Sequence, residues 1–151
     1  MTAQASRIED GEHVLPVRVY YEDTDAAGIV YYANYLKYAE RARTEMLRLM
    51  GVQQNALARD HGLAFAVRNC AIDYQRPAKL DDLLEVRSRL SALGGATAVA
   101  EQVISRDGAA LVTLEVRLAC IAQNGRPARI PGHLRAALTG YCRPTSAEEQ
   151  S

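Results

Sequence analysis

The chain lacks the charge and cysteine patterns of several common protein classes. Its 151 residues carry 18 basic and 18 acidic side chains, so the net charge is zero. A neutral chain has no general attraction to nucleic acid or to an anionic membrane. The three cysteines, Cys70, Cys120 and Cys142, form no CxxC pair and no Cys/His metal spacing. This pattern indicates a reducing compartment and predicts neither a metal site nor a cofactor.

Long apolar runs are also missing. No segment approaches the ~18 apolar residues of a membrane span, and residues 1–11 have no apolar core of a signal peptide. We therefore predict a cytoplasmic protein. A chain of this length buries roughly 68–70% of its unfolded surface, which is enough for one domain without metal or disulfide. We predict a flexible N-terminus at 1–12, a single domain at 13–142 and a disordered tail at 143–151.

Tyrosine, in contrast, is concentrated in one short stretch. Six of the eight tyrosines lie between Tyr20 and Tyr38. The same stretch contains the acids Asp23 and Asp25 and the turn-forming Gly28. Tyrosines that served only core packing would be spread along the strands. Their concentration predicts a site with aromatic walls and hydrogen-bonding edges.

One strong helix is predicted after this stretch, from about Asn34 to Met50. Its apolar face is formed by residues at helical spacing: Tyr35, Ala39, Ala42, Met46 and Leu49. Asn34 fits an N-cap and Gly51 fits a C-terminal stop.

Period-two alternation predicts the strands. The first covers about 14–22, and four more follow the helix at about 65–74, 83–90, 97–105 and 112–120. Short helices are expected near 53–60 and 132–138. Tight turns between successive strands imply a mainly antiparallel sheet. Because one helix cannot cover both faces of five strands, we predict an α+β fold in which the sheet curls around the helix. A second subunit would cover the face or edge left exposed.

The residues around the loop resemble a known family. The string Asp25-Ala26-Ala27-Gly28-Ile29-Val30-Tyr31, followed by Asn34-Tyr35 and a helix, is similar to the active-site signature of hotdog-fold acyl-CoA thioesterases of the 4-hydroxybenzoyl-CoA thioesterase type. The flanking strings 19–25 and 38–47 are closer still to the Tol–Pal-associated (YbgC) group. The resemblance runs from about Val17 to Pro131 and implies the hotdog fold.

The resemblance also implies a reaction and its residues. The family's catalytic acid corresponds to Asp25, and backbone N–H groups near Tyr32 would polarise the thioester carbonyl. A carboxylate can attack the carbonyl or activate water, and the sequence leaves both routes open. Gly28, Tyr32, Asn34 and Tyr35 are the candidate substrate-binding residues, although Asn34 also fits a cap and the tyrosines also fit packing roles. Many YbgC relatives have His at the position of Tyr32.

Partners follow from the same resemblance: an acyl-CoA substrate, acyl carrier protein as an alternative donor, and a homodimer or homotetramer with sites at the subunit interface. Two other functions compete with the thioesterase. A hotdog dehydratase needs a histidine with its acid, and residues 23–35 contain none. An interaction module for acyl carrier protein or envelope-associated lipid enzymes, with weak activity, is the second.

Overall fold

The computed structural model describes residues 6–142. The predicted tail at 143–151 lies outside the described residues, as do residues 1–5. The described part contains these elements: β1 (Arg7–Glu9), β2 (Glu12–Arg18), α1 (Asn34–Leu49), α2 (Gln54–His61), β3 (Leu63–Tyr74), β4 (Leu83–Leu93), β5 (Thr97–Arg106), β6 (Ala109–Ala122) and α3 (Gly132–Thr139). Element type and order therefore agree with the sequence prediction from α1 onward.

The strands form one antiparallel sheet in the order β1-β2-β4-β5-β6-β3. Within residues 6–142 the sheet has six strands rather than the predicted five. The prediction that residues 1–12 are flexible is wrong for Arg7–Glu9, which pair with the start of β2. Asp10 and Gly11, both at positive φ, form the turn between the two strands. An Asp-Gly pair is a strong hairpin signal, so this strand was readable from the sequence.

The first long strand ends earlier than predicted. It stops at Arg18 instead of continuing to residue 22, and Tyr21–Asp23 form a 3₁₀ turn. The Asp23 carboxylate accepts a hydrogen bond from the Tyr20 N–H at 2.8 Å, which closes this turn. Tyr21 is 82% exposed and so does not continue the apolar face of the strand. The chain thus leaves the sheet before the tyrosine-rich segment.

Helix α1 packs against the inner face of β2, β4 and β5. Six of its side chains are buried there: Tyr35, Tyr38, Ala39, Ala42, Met46 and Leu47. Leu49 is 49% exposed, so its predicted core position is wrong. The helix presents Leu47 to the core in its last turn, and the two positions lie on different sides of the helix. Gly51, at φ 85°, follows the end of the helix as predicted.

A row of buried polar side chains crosses the sheet beneath α1. His13, Ser88 and Gln102 are paired across β2, β4 and β5 and are all fully buried. Gln102 donates from Nε2 to the Ala39 carbonyl at 3.0 Å and to the Ser88 hydroxyl at 2.9 Å. Small helix residues at Ala39 and Ala42 leave room for this row.

Candidate active site

The loop before α1 is a tight reversal of the chain. Thr24 and Val30 form an antiparallel bridge, and the N–H of Asp25 donates to the Ile29 carbonyl at 2.9 Å. The N–H of Gly28 in turn donates to the Asp25 carbonyl at 3.0 Å. Gly28 has φ 79° with open space where a Cβ would lie. The backbone conformation, not crowding, therefore requires glycine at this position.

A second segment, at residues 78–82, fixes the position of this loop. The N–H of Val30 donates to the Ala78 carbonyl at 2.9 Å, and Ile29 forms a bridge with Lys79. The Asp82 carboxylate stabilises this segment by accepting hydrogen bonds from the Lys79 N–H at 2.8 Å and from Arg106 at 2.6 Å. Burial raises the pKa of Asp82, but these two donors outweigh it and the net shift is downward.

The Asp25 side chain lies at the surface of the loop. Its Oδ1 accepts a hydrogen bond from the Ala27 N–H at 2.9 Å. No intramolecular partner is found for Oδ2 among residues 6–142. One carboxylate oxygen thus orients the side chain within the turn, while the other remains available to a ligand.

The start of α1 is not capped by a side chain. Ala33 occupies the N-cap position, so the interpretation of Asn34 as the cap is wrong. Asn34 instead donates from Nδ2 to the Asp23 carbonyl at 2.8 Å, because it is already the first helical residue and its amide reaches back to the loop. Within residues 6–142 the backbone N–H groups of Tyr32 and Ala33 have no acceptor. They are donors at the positive end of a helix dipole.

Aromatic rings line one side of this helix start. Tyr32 is 61% exposed, and its ring centroid lies 4.8 Å from that of Tyr31 and 6.2 Å from that of Tyr74. The Tyr74 hydroxyl donates to the Tyr32 carbonyl at 3.2 Å. Sequence reasoning missed Tyr74, which lies at the end of β3. Its isolation from the other tyrosines, just before Arg76-Pro77, was the only available signal.

Tyr35 and Tyr38 lie behind this wall, within the core. The Tyr35 hydroxyl accepts a hydrogen bond from the Ala78 N–H at 3.0 Å. It thereby stabilises the segment at residues 78–82, which fixes the loop that carries Asp25 (the acid loop). Burial raises the pKa of Tyr35. Burial also raises the pKa of Tyr38, with a smaller contribution from Asp23, and the buried Tyr38 hydroxyl forms no hydrogen bond within the described residues.

Histidines and cysteines do not gather around the loop. His61 and His133 are neighbours, with ring centroids 5.7 Å apart, although they are distant in sequence. His13 is buried under α1, and none of the three cysteines, all within residues 6–142, forms a disulfide. In the described part of the chain, no three His, Cys, Asp or Glu side chains could jointly hold a metal ion.

Several basic side chains near the sheet are already paired. Arg106 binds Asp82, Arg87 binds Glu9 at 2.5 Å, and Arg89 binds Glu101 at 2.8 Å. Arg68, Arg76 and Lys79 form no side-chain ion pair within residues 6–142. These three cations remain available to an anionic ligand. No helix in the same range is long and apolar enough to cross a bilayer.

One long helix packed on an antiparallel sheet, with an acidic loop at the N-terminus of the helix, agrees with the hotdog arrangement that the sequence predicts. The chain belongs to the thioesterase-like superfamily, whose family model matches residues 19–138. It is 46% identical over 129 residues to the acyl-CoA thioesterase YbgC of Haemophilus influenzae, covering 85% of this chain and 95% of that one. It is 43% identical to the acyl-CoA thioester hydrolase YbgC of Escherichia coli, covering 70% and 79%.

A solved structure agrees. The probable thioesterase from Bartonella henselae superposes with a TM-score of 0.76 at 42% identity, covering 80% of this chain and 99% of that one. The predicted family and the hotdog fold are therefore confirmed.

Proposed function

We propose that this protein hydrolyses the thioester of an acyl-CoA to the free acid and CoA. One feature carries the proposal: the Asp25 carboxylate belongs to the same short loop that ends at the unpaired N–H groups of Tyr32 and Ala33. An acid and a pair of oxyanion donors are what acyl transfer requires. The names of the Haemophilus and Escherichia relatives agree with this reaction.

The donors would act on the carbonyl oxygen of the thioester. As negative charge develops on that oxygen, the N–H groups of Tyr32 and Ala33 bind it more tightly than they bind the ground state. Removing one such donor costs about 2.7–4 kcal/mol of transition-state stabilisation in enzymes where it has been tested. Because these groups belong to the backbone, the identity of the residue at 32 matters less to the donor than the geometry of the helix start.

Asp25 would supply the second half of the reaction. As a base, it takes a proton from water while the water oxygen bonds to the carbonyl carbon; the C–S bond then breaks and the CoA thiolate takes up the proton. As a nucleophile, its Oδ2 bonds to the carbonyl carbon while the C–S bond breaks and CoA leaves as the thiolate. Water then hydrolyses the resulting mixed anhydride to the free acid and the Asp25 carboxylate, and the proton released goes to the thiolate. Both routes use Oδ2, for which residues 6–142 provide no partner.

The aromatic wall would receive the thioester end of the substrate. Tyr32 and Tyr74 offer exposed ring faces beside the donors, and Gly28 keeps the loop free of a side chain where the substrate approaches. Asn34 and Tyr35 would position the helix start rather than contact the substrate, since their polar groups bind Asp23 and Ala78. Arg68, Arg76 and Lys79 are candidates for the phosphates of CoA.

A second copy of the chain would complete the site. Strand β3 is twelve residues long, lies at the edge of the sheet and has no fully buried residue. A long exposed edge strand invites pairing with another strand. A homodimer formed through β3 would extend the sheet and enclose the wall at Tyr74. Sedimentation equilibrium would test this, and a monomer at every concentration would contradict it.

Acyl carrier protein as donor, cytoplasmic location and Tol–Pal association stay predictions.

The decisive experiment compares wild type with Asp25→Asn on a panel of acyl-CoAs of different length, including an aromatic one. The Asn oxygen can still accept the Ala27 N–H, so we expect the variant to keep its fold. We expect kcat to fall about 10²–10⁴-fold, the usual effect of losing an acid–base group.

Asp107→Asn is the matched control, because this acid lies in the turn between β5 and β6 and Asn tolerates its φ of 53°. It should hydrolyse the panel as wild type does. Unchanged turnover in Asp25→Asn would exclude Asp25 as the acid. Absence of turnover on every thioester would exclude the enzyme and favour the interaction module.

A further inference from the structure

A cavity of about 320 Å³ lies along α1, away from the acid loop. Its walls are of two kinds. Apolar side chains from the helix and the sheet form most of it, among them Met46, Phe65 and Leu118. Polar side chains form the rest: Glu40, Arg43, Thr44 and Gln54. A cavity that combines apolar walls with a few polar groups suits a small organic ligand.

Arg43 is the positively charged residue of this cavity, and a hydrogen bond to the sheet fixes its orientation. Its Nη1 donates to the Gln102 Oε1 at 2.9 Å. The Gln102 amide cannot turn away, because its nitrogen donates to Ala39 and Ser88 in the buried row. A guanidinium has five N–H donors, and this is the single side-chain hydrogen bond of Arg43 within residues 6–142. Most of its donors therefore have no acceptor within these residues and can serve a ligand.

The cation is also poorly solvated. Burial lowers the pKa of Arg43, although Glu40 and Cys70 act in the opposite direction. No carboxylate of the described chain comes within ion-pair distance of it. A partly desolvated guanidinium without a counter-ion favours binding of an anion, and a carboxylate matches its planar fork best.

Side chains of β3 extend from the candidate active site to this cavity. On β3, the side chains of Tyr74, Cys70 and Val67 lie on the face that turns toward α1, and all three are exposed. Cys70 lies between Val67 and Tyr74 along β3, and therefore between the cavity and the candidate active site. At 1.5 Å per residue, Arg43 is about 14 Å along α1 from Asn34. An extended acyl chain of medium length spans that distance.

We propose that the cavity receives the far end of the acyl group, and that Arg43 selects acyl chains that end in a carboxylate. The preferred substrates would then be the CoA monothioesters of medium-length dicarboxylic acids. This inference rests on the proposed thioesterase activity, with the thioester at the helix start and the chain running between α1 and β3. Arg43 acts here as a specificity-determining residue and takes no part in bond breaking.

Glu40 limits this preference. It lines the same cavity and is exposed, so it opposes the entry of a second carboxylate through like-charge repulsion. Removing its charge should therefore strengthen the preference that removing the charge of Arg43 abolishes. Removing the charge of Glu40 and removing the charge of Arg43 should therefore change the preference for a terminal carboxylate in opposite directions, although both residues lie on the same part of α1.

The test compares sebacoyl-CoA with decanoyl-CoA, which have the same chain length and differ in the terminal carboxylate. The measured quantity is the ratio of kcat/KM for the first substrate to that for the second. We expect this ratio to exceed one in wild type, to fall at least tenfold in Arg43→Met, mainly through KM, and to rise in Glu40→Gln. Arg43→Lys keeps the charge but loses the planar fork, so it should lower the ratio by less than Arg43→Met does.

Arg48→Met is the matched control, since Arg48 is an exposed arginine of the same helix that pairs with Glu45 outside the cavity. It should leave the ratio unchanged. If Arg43→Met proves too unstable to assay, because Gln102 loses its donor, Arg43→Lys and Glu40→Gln still decide the matter. Hydrolysis of both substrates with a ratio that none of these variants changes would overturn the inference.

A binding measurement separates this inference from the proposed function. Free sebacate should raise the Tm of wild type and of Arg48→Met more than dimethyl sebacate does, because the ester has the same chain without a charged end, and this difference should disappear in Arg43→Met. If no thioester is hydrolysed but this pattern holds, the carboxylate site stands while the thioesterase fails. If thioesters are hydrolysed and sebacate has no greater effect than dimethyl sebacate, the carboxylate site fails while the thioesterase stands.

Discussion

The two halves of the sheet differ in what covers their inner face. On β4, every second side chain from Leu84 to Leu90 is buried beneath α1. On β3, at the far edge, the corresponding side chains remain open, with Val67 50% exposed and Tyr74 43% exposed. The two strands have similar lengths, with twelve residues in β3 and eleven in β4. The position of the helix, which packs over β2, β4 and β5, accounts for the difference.

The comparison separates stability from function along one sheet. The covered half, formed by β2, β4 and β5, contains most of the buried apolar side chains of the sheet. It also contains the hydrogen-bonded row at Ser88 and Gln102. The open half, at β3, borders the candidate active site at one end, through Tyr74. At the other end it borders the cavity that contains Arg43, through Val67. Substitutions in the first half should change the free energy of unfolding, and those in the second should change ligand binding or assembly.

The largest expected effect comes from the covered half. Leu84→Ala removes a side chain that is 0% exposed, so we expect the free energy of unfolding to fall by about 2–5 kcal/mol. Val67→Ala removes two half-exposed methyl groups on β3, and we expect a loss below about 1 kcal/mol for the protomer. Urea unfolding of both variants measures the contrast. Equal losses at the two positions would show that β3 is covered as well as β4.

Much of the fold could be predicted from the sequence because the patterns are regular. Period-two alternation located β3 to β6, and helical spacing located α1 to within one residue at its end. The N-terminal errors have physical causes. The Asp10-Gly11 hairpin was overlooked, and the strand ending at Arg18 was extended because Val19 and Tyr21 continue its alternation. A pattern alone does not reveal that Asp23 closes a turn there.

The candidate site was predicted in part. The loop from Asp25 to Asn34 could be found because its residues are contiguous. The roles of Tyr74 and Arg43 could not be predicted, because each depends on contacts with residues far away in the sequence. Tyr74 contacts the Tyr32 carbonyl, and Arg43 depends on Gln102, which lies 59 positions later. Long-range contacts of this kind require the register of the sheet, which the sequence did not specify.

An intermediate effect is expected where the two halves meet. Gln102→Leu removes the buried amide that joins the covered row to Arg43, leaving the Ser88 hydroxyl and the guanidinium without that partner. We expect a loss of about 1–3 kcal/mol in the free energy of unfolding together with a lower preference for sebacoyl-CoA.

Ser88→Ala is the control for Gln102→Leu, because it breaks one bond of the row and leaves the Arg43 contact in place. It should cost less stability and keep the substrate preference. A Gln102→Leu variant that loses stability but keeps the preference would show that Arg43 needs no support from the row.

The smallest effect should appear as a dependence of stability on pH within the covered half. Burial lowers the pKa of His13, the nearby Glu45 opposes this shift, and neither ring nitrogen has a hydrogen-bond partner in the described residues. The unfolded chain, with a histidine pKa near ~6.5, then binds a proton more readily than the folded protein does. The contribution of His13 to the free energy of unfolding is therefore fully present above the unfolded pKa and is lost as the pH falls through it toward the lower folded pKa.

Urea unfolding at about pH 7.5 and about pH 5.5 measures this effect. Wild type should lose more stability at the lower pH than His13→Phe, in which this group does not titrate. Equal losses in the two proteins would mean that His13 is protonated as readily in the folded state as in the unfolded one.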